Sequence, residues 1–245
     1  MIDKALVKTR FAKSLDTYDE NALIQKIMAS KLVSLLEKKE FSSILEVGCA
    51  TGVLTREIVG NINFECFSAN DIVEKSSDYI STIIDNCEFI SGDIEVVDIN
   101  KTYDLIISNA CLQWCNNLTQ TIDKLYSLLN DDGMLAFSVF GEENLFEIND
   151  LFKIENKFYP ITELKTYLKK YNFIEYREEK SRLYFDNAID VLKHLKYTGV
   201  NAIAPFNLTK TKIKEFEESY KRKYADNQKV YLTYNPVFIV IKKSK

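Results

Sequence analysis

Turn-forming and metal-binding residues are scarce in this chain. Its 245 residues include 7 glycines, 3 prolines, 1 histidine and 1 tryptophan. A lone histidine argues against a zinc site and leaves no Ser/His/Asp or Cys/His arrangement for nucleophilic catalysis. The five cysteines, Cys49, Cys66, Cys87, Cys111 and Cys115, are odd in number and contain no Cys-x-x-Cys pair. Neither a disulfide framework nor a metal is therefore expected. They read as reduced packing residues of a cytoplasmic protein. A basic excess is missing as well. With 32 Lys and Arg against 36 Asp and Glu, the net charge is -4, which argues against a general nucleic-acid binder. No apolar run reaches membrane-spanning length, and the first residues lack a signal-peptide core, so no membrane association is expected.

What is present suffices for a full core, since 46% of the residues are hydrophobic. Helical spacing of Ala22, Ile24, Ile27, Met28, Leu32, Leu35 and Leu36 predicts helices over 2–39, with Asp19 capping the second. Apolar runs predict strands at 43–47, 64–69, 87–91, 103–109 and 134–140, with helices at 52–59, 75–85 and 118–129 between them. Asp131-Asp132-Gly133 reads as a turn. Such alternation predicts an α/β fold, a doubly wound, mostly parallel sheet of seven strands. The pattern then breaks into polar helical sequence at 142–172, a strand at 175–185, helices at 187–198 and 209–224, and a last strand at 232–241. One domain, 1–245, is expected. It divides into an N-terminal helical segment (1–40), a cofactor-binding core (41–141), a cap with one sheet strand (142–230) and a final strand (231–245). A monomer is expected.

The most informative segment is Ile44-Leu45-Glu46-Val47-Gly48-Cys49-Ala50-Thr51-Gly52. An apolar strand ends in an acid and turns through glycines into a helix, as open α/β sheets do where backbone approaches a nucleoside. A dinucleotide fingerprint would carry further glycines where Ala50 and Val53 stand. Glu46 would repel a pyrophosphate and suits a cationic ligand. More polar residues follow at successive strand ends. Asp71, with Ile72 beside it, stands where a carboxylate meets a ribose diol. Asp93 is placed to accept from an adenine amine while Ile94 packs on the ring. Asn109 faces the centre of the crevice. Together these residues point to S-adenosylmethionine.

The pattern resembles the class I S-adenosylmethionine-dependent methyltransferases, Rossmann-like in fold. Phe11 through Gln25, Gly92-Asp93-Ile94-Glu95, Ser108 through Cys115 and Leu135 through Gly141 are similar to the malonyl-acyl-carrier-protein O-methyltransferases of biotin synthesis. So are Leu192 through Ala202 and Leu232-Thr233-Tyr234. Ala50 departs from the glycine usual in that family. The resemblance implies methyl transfer to the free carboxylate of a malonyl thioester on acyl carrier protein, or on coenzyme A. It places Tyr18 and Trp114 near the transferred methyl, Gln25 at the methionine carboxylate and Phe11 as a packing lid. An acidic carrier calls for a basic receiving surface, for which Lys193, Lys196, Lys221, Arg222 and Lys223 are candidates. Two alternatives stay open at this point. One is another small carboxylate, phenol or quinone precursor as acceptor; the other is a cofactor-binding protein without turnover.

Overall fold

A computed structural model describes residues 2–154, 159–198 and 209–244. The chain opens with α1 (Lys4–Asn21), capped by the Asp3 carboxylate at Leu6 N, and α2 (Leu23–Ser34). β1 (Glu40–Val47), α3 (Val53–Asn61), β2 (Asn63–Asp71), α4 (Ser76–Ser81) and β3 (Cys87–Ser91) follow. Then come β4 (Tyr103–Asn109), a single 3-10 turn at Leu112–Trp114, α5 (Leu118–Ser127) and β5 (Leu129–Phe140). The later part holds α6 (Phe146–Phe152), α7 (Ile161–Leu168), β6 (Asn172–Glu178), β7 (Ser181–Phe185), α8 (Ala188–Tyr197), α9 (Lys210–Tyr224), β8 (Ala225–Asp226), β9 (Lys229–Tyr234) and β10 (Pro236–Lys242).

Seven strands form one sheet in the order β3-β2-β1-β4-β5-β10-β6, with β10 antiparallel to both neighbours. Its central strands β4, β5 and β10 are buried on both faces over most of their length, which is why they read as nearly continuous apolar runs. Alternate residues feed opposite cores. Ile44, Leu105, Ile107 and Phe238 join one apolar cluster, whereas Leu45, Ile106 and Ile239 join the other. Among the described residues, no helix is long and apolar enough to cross a membrane.

Four local expectations are corrected. The predicted strand at 175–185 is two strands, β6 in the main sheet and β7 in a second sheet of order β7-β9-β8. The predicted strand at 232–241 likewise divides into β9 and β10. Asn235, 1% exposed, holds that break: its amide donates to Glu178 Oε1 and Glu179 O, both at 3.1 Å. Pro236 lacks the N–H that an unbroken ladder would use. Asp131-Asp132-Gly133 lies inside β5 as a bulge, with Asp132 at φ +60°, and pairing jumps from Tyr103–Leu129 to Leu105–Met134. Asp19 does not cap α2, whose cap position is Ala22 with no side-chain bond. Its carboxylate accepts instead from Thr51 Oγ1 and from Arg56 Nη2. Two smaller differences remain: Ile27 is exposed, and the helix expected over 75–85 is confined to α4.

Candidate active site

The carboxyl ends of β1, β2, β3 and β4 lie side by side, and their loops meet. Gly48, at φ +77°, turns the chain out of β1 while Gly48 N and Cys49 N donate to Asn70 O. A Cβ at Gly48 would stand 2.3 Å from Cys111 Sγ, so glycine lets the loop after β4 come close. Gly52, at φ +82°, starts α3. Between the two, Ala50 also adopts a left-handed φ of +45°. Asp71 staples this loop to the next: Ala50 N donates to Oδ2 and Val73 N to Oδ1, each at 2.8 Å. Burial raises the Asp71 pKa, and the backbone N–H groups of Val73, Ala50 and Ile72 pull against that rise.

A cavity opens between these loops and α1. Gly48, Ala50, Asp71 and Ile72 line one part, and Asp93, Ile94, Asn109 and Trp114 continue the wall. One face of α1 supplies the roof through Lys4, Val7, Phe11, Leu15 and Tyr18. Their spacing of three and four is that of a single helix stripe. Trp114 meets Phe11 edge-on, with ring centroids 5.5 Å apart. Burial drives the Tyr18 pKa far up, so it stays a neutral phenol. Its hydroxyl has no hydrogen-bond partner among the described residues.

Four residues expected at the cofactor do not line this cavity: Gln25, Glu46, Cys49 and Gly52. Glu46 is fully buried behind the loop, accepting from Thr55 Oγ1 at 2.6 Å while its Oε1 has no partner. Burial pushes its pKa up to about 8, with the Thr55 hydroxyl bond opposing the rise, which favours the neutral acid. Gln25 is also buried; its backbone oxygen accepts from Asn109 Nδ2 at 2.9 Å, and Asn109 Oδ1 accepts from Ser138 Oγ at 2.6 Å. The Asn109 amide thus joins α2 to β5 as it forms part of the wall. Cys49 is packed in the core, and a Cβ on Gly52 would meet Ile83.

The basic candidates lie on α8 and α9. Lys193 pairs with Asp190 at 2.9 Å and Lys223 with Asp150 at 2.7 Å. Lys196, Lys221 and Arg222 make no ion pair among the described residues. Thr17 Oγ1, 3.4 Å from Tyr197 O, joins α1 to the end of α8. Gly199, Val200, Asn201 and Ala202 of the cap motif lie outside the described residues. Sequence reasoning missed Lys4, Val7 and Leu15, although the stripe that contains Phe11 and Tyr18 passes through them.

The donor set tests what such a cavity accepts. Its wall carries the carboxylates of Asp71 and Asp93 and one cation, Lys4, already engaged by Asp93 and Glu95. Among the described residues, no unengaged cation lines it for a pyrophosphate. A nucleoside with a positive charge of its own fits this balance.

The methyltransferase domain family matches residues 18–174. A malonyl-[acyl-carrier protein] O-methyltransferase of Calditerrivibrio nitroreducens is 37% identical to this chain, over 97% of it and 96% of that protein. Its counterpart in Chlorobium luteolum is 33% identical, over 99% of this chain and 97% of that one. The N-methyltransferase NodS of Bradyrhizobium japonicum, solved in complex with S-adenosyl-l-homocysteine, shares the fold. Its TM-score is 0.56 at 12% identity, covering 89% of this chain and 86% of that one.

Proposed function

The chain belongs to the malonyl-[acyl-carrier protein] O-methyltransferases, and from that premise we propose that it methylates the free carboxylate of a malonyl thioester borne by acyl carrier protein. The cofactor is S-adenosylmethionine, which when bound supplies a methyl group activated on a sulfonium. One observation supports this reading above others: the ends of four neighbouring strands open on one cavity that, among the described residues, carries two carboxylates and no unengaged cation.

In this reading Asp71 receives the ribose hydroxyls on lone pairs not used by Ala50 N and Val73 N. Asp93 receives the adenine amine, with Ile72 and Ile94 packing near the base. The acceptor needs no general base, because a carboxyl group of pKa about 4 is ionised at neutral pH. The bound cofactor would supply its methyl to a carboxylate oxygen and be left as a neutral thioether, so the residues here need move no proton. Tyr18 and Trp114 offer neutral donors to orient that oxygen. A cation in their place would hold the anion in its ground state and slow the transfer. α1 covers the cavity and keeps water from the reacting atoms. Lys196, Lys221 and Arg222 are proposed to meet the acidic carrier, with Lys193 and Lys223 contributing less because each already has a carboxylate partner. The working unit is one methyltransferase domain, a monomer in the cytoplasm.

Initial rates with malonyl-carrier protein, malonyl-CoA and free malonate test the acceptor assignment. The carrier thioester is expected to have the highest kcat/KM. Preference for free malonate, or for a phenolic acceptor, would overturn the assignment.

A further inference from the structure

Lys4 has none of the roles assigned above, yet its ammonium lines the cavity. It lies 3.1 Å from Asp93 Oδ1 and 2.5 Å from Glu95 Oε2. Asp93 Oδ1 accepts a second hydrogen bond, from Glu95 N at 3.1 Å. Oδ2 has no partner among the described residues. Glu95 is itself held, with Oε2 accepting from Asn116 N at 2.9 Å and Oε1 from Asn117 N at 2.8 Å. Ile2 N donates to Asn116 Oδ1 at 2.6 Å. One ammonium therefore ties the start of α1 to the loop after β3 and to the turn before α5.

The side chains of Lys4, Asp93 and Glu95 are only 23%, 19% and 14% exposed, so water screens the cluster incompletely. Burial opposes the charge on Lys4, but the bonds to Glu95 and Asp93 outweigh it and leave its pKa raised. The cation stays charged across the neutral range. A carboxylate clamped at one oxygen loses its freedom to rotate. Asp93 lines the cavity, and its Oδ2 is then a held acceptor with no donor among the described residues.

We propose that Lys4 is a positioning residue that determines base specificity: by holding Asp93 Oδ1 it presents Oδ2 alone to the nucleobase, selecting a base edge with an amine donor over one with an oxo group. The inference rests on the reading of Asp93 as the adenine acceptor. An amine satisfies the waiting oxygen, whereas an oxo group sets acceptor against acceptor in a partly desolvated place. Without Lys4, Oδ1 keeps only the 3.1 Å bond from Glu95 N, and the carboxylate is freer to turn, admit water and accommodate either base. This role differs from pinning α1 down, which would affect every nucleoside alike.

Calorimetry with S-adenosylhomocysteine and its deaminated analogue S-inosylhomocysteine separates the two roles. The wild-type protein is expected to bind the adenosyl ligand at least about tenfold more tightly. Lys4→Met and Lys4→Gln are each expected to shrink that ratio to about threefold or less, and Lys4→Arg to restore it. Asp93→Asn should lose the preference as well. Equal weakening of both ligands by the Lys4 variants, with the ratio intact, would overturn the proposal. A wild-type protein that does not distinguish the ligands would instead overturn the Asp93 reading on which it rests. Thermal melts of the same samples identify any variant that does not fold, and the remaining Lys4 variant then decides.

Discussion

Ala50 holds a φ of +45°, a backbone region where a Cβ crowds the following carbonyl at about 1–2 kcal/mol. Glycine removes that crowding but adds freedom to the unfolded chain, about 0.4–1 kcal/mol the other way. Ala50→Gly is therefore expected to stabilise the fold by about 0.5–1 kcal/mol in chemical denaturation. A loss of stability would show that the loop relaxes around alanine. Asp71 anchors the same loop with both oxygens, so Asp71→Asn sets an amide N–H against one backbone N–H. Loss of a bond to a charged acceptor is worth about 1.5–3 kcal/mol, and the Kd for S-adenosylhomocysteine should rise about tenfold or more. Unchanged affinity would remove Asp71 from the ribose site. Glu46 gives a pH signature. Its folded pKa of about 8 stands above the ordinary 4.5, so the folded state binds the extra proton between those values. Its contribution is complete at low pH and is lost as pH rises toward 8. Relative to wild type, Glu46→Gln should gain stability across that window, and a flat difference would contradict the buried neutral acid. The acids and glycines at strand ends were legible because strand ends impose spacing on sequence. Lys4 was not, since its part depends on carboxylates far along the chain.

α1 shows the same division at the scale of an element. Its existence was legible from helical spacing, but its covering of the cavity was not, because a stripe does not name what it packs on. Polar contacts hold it at both ends: Lys4 reaches Asp93 and Glu95, and Asp16 receives Lys75 at 3.2 Å and Tyr79 Oη at 2.7 Å. Asp19 receives Thr51 and Arg56. The exposed pairs at Asp16 and Asp19 contribute too little to decide global stability but enough to bias a local opening. Asp16→Asn combined with Asp19→Asn is thus expected to speed amide hydrogen exchange across Lys4–Asn21 and leave β1 and β4 protected. Uniform acceleration throughout the sheet would mean that α1 opens only when the whole fold does. The strands on either side of Asn235 illustrate a different limit. Their apolar alternation is continuous in sequence, and the buried asparagine's bonds to Glu178 and Glu179, with Pro236 beside it, divide it between two sheets.

Over the whole molecule, the order β3-β2-β1-β4-β5-β10-β6 reverses direction of growth between β1 and β4, which is where open α/β sheets bind ligands. The doubly wound fold was legible because helices and strands alternate through its first half. The three-stranded second sheet was hidden, since antiparallel partners such as Ser181 and Tyr234 are distant in sequence. A net charge of -4 does not favour an acidic partner, so carrier recognition must depend on local basic groups. Lys196→Glu with Arg222→Glu is expected to raise KM for the malonyl-carrier substrate several-fold, less so at high salt, with KM for the cofactor unchanged. Equal change in both constants would place those residues outside a docking surface.

Mass spectrometry of the acyl arm, after malonyl-carrier protein is incubated with this protein and S-adenosylmethionine bearing a deuterated methyl, asks the decisive question. One CD3 group esterified to the terminal carboxyl is the expected product. An unmodified malonyl thioester, with cofactor binding verified in the same sample, would refute carboxyl methylation.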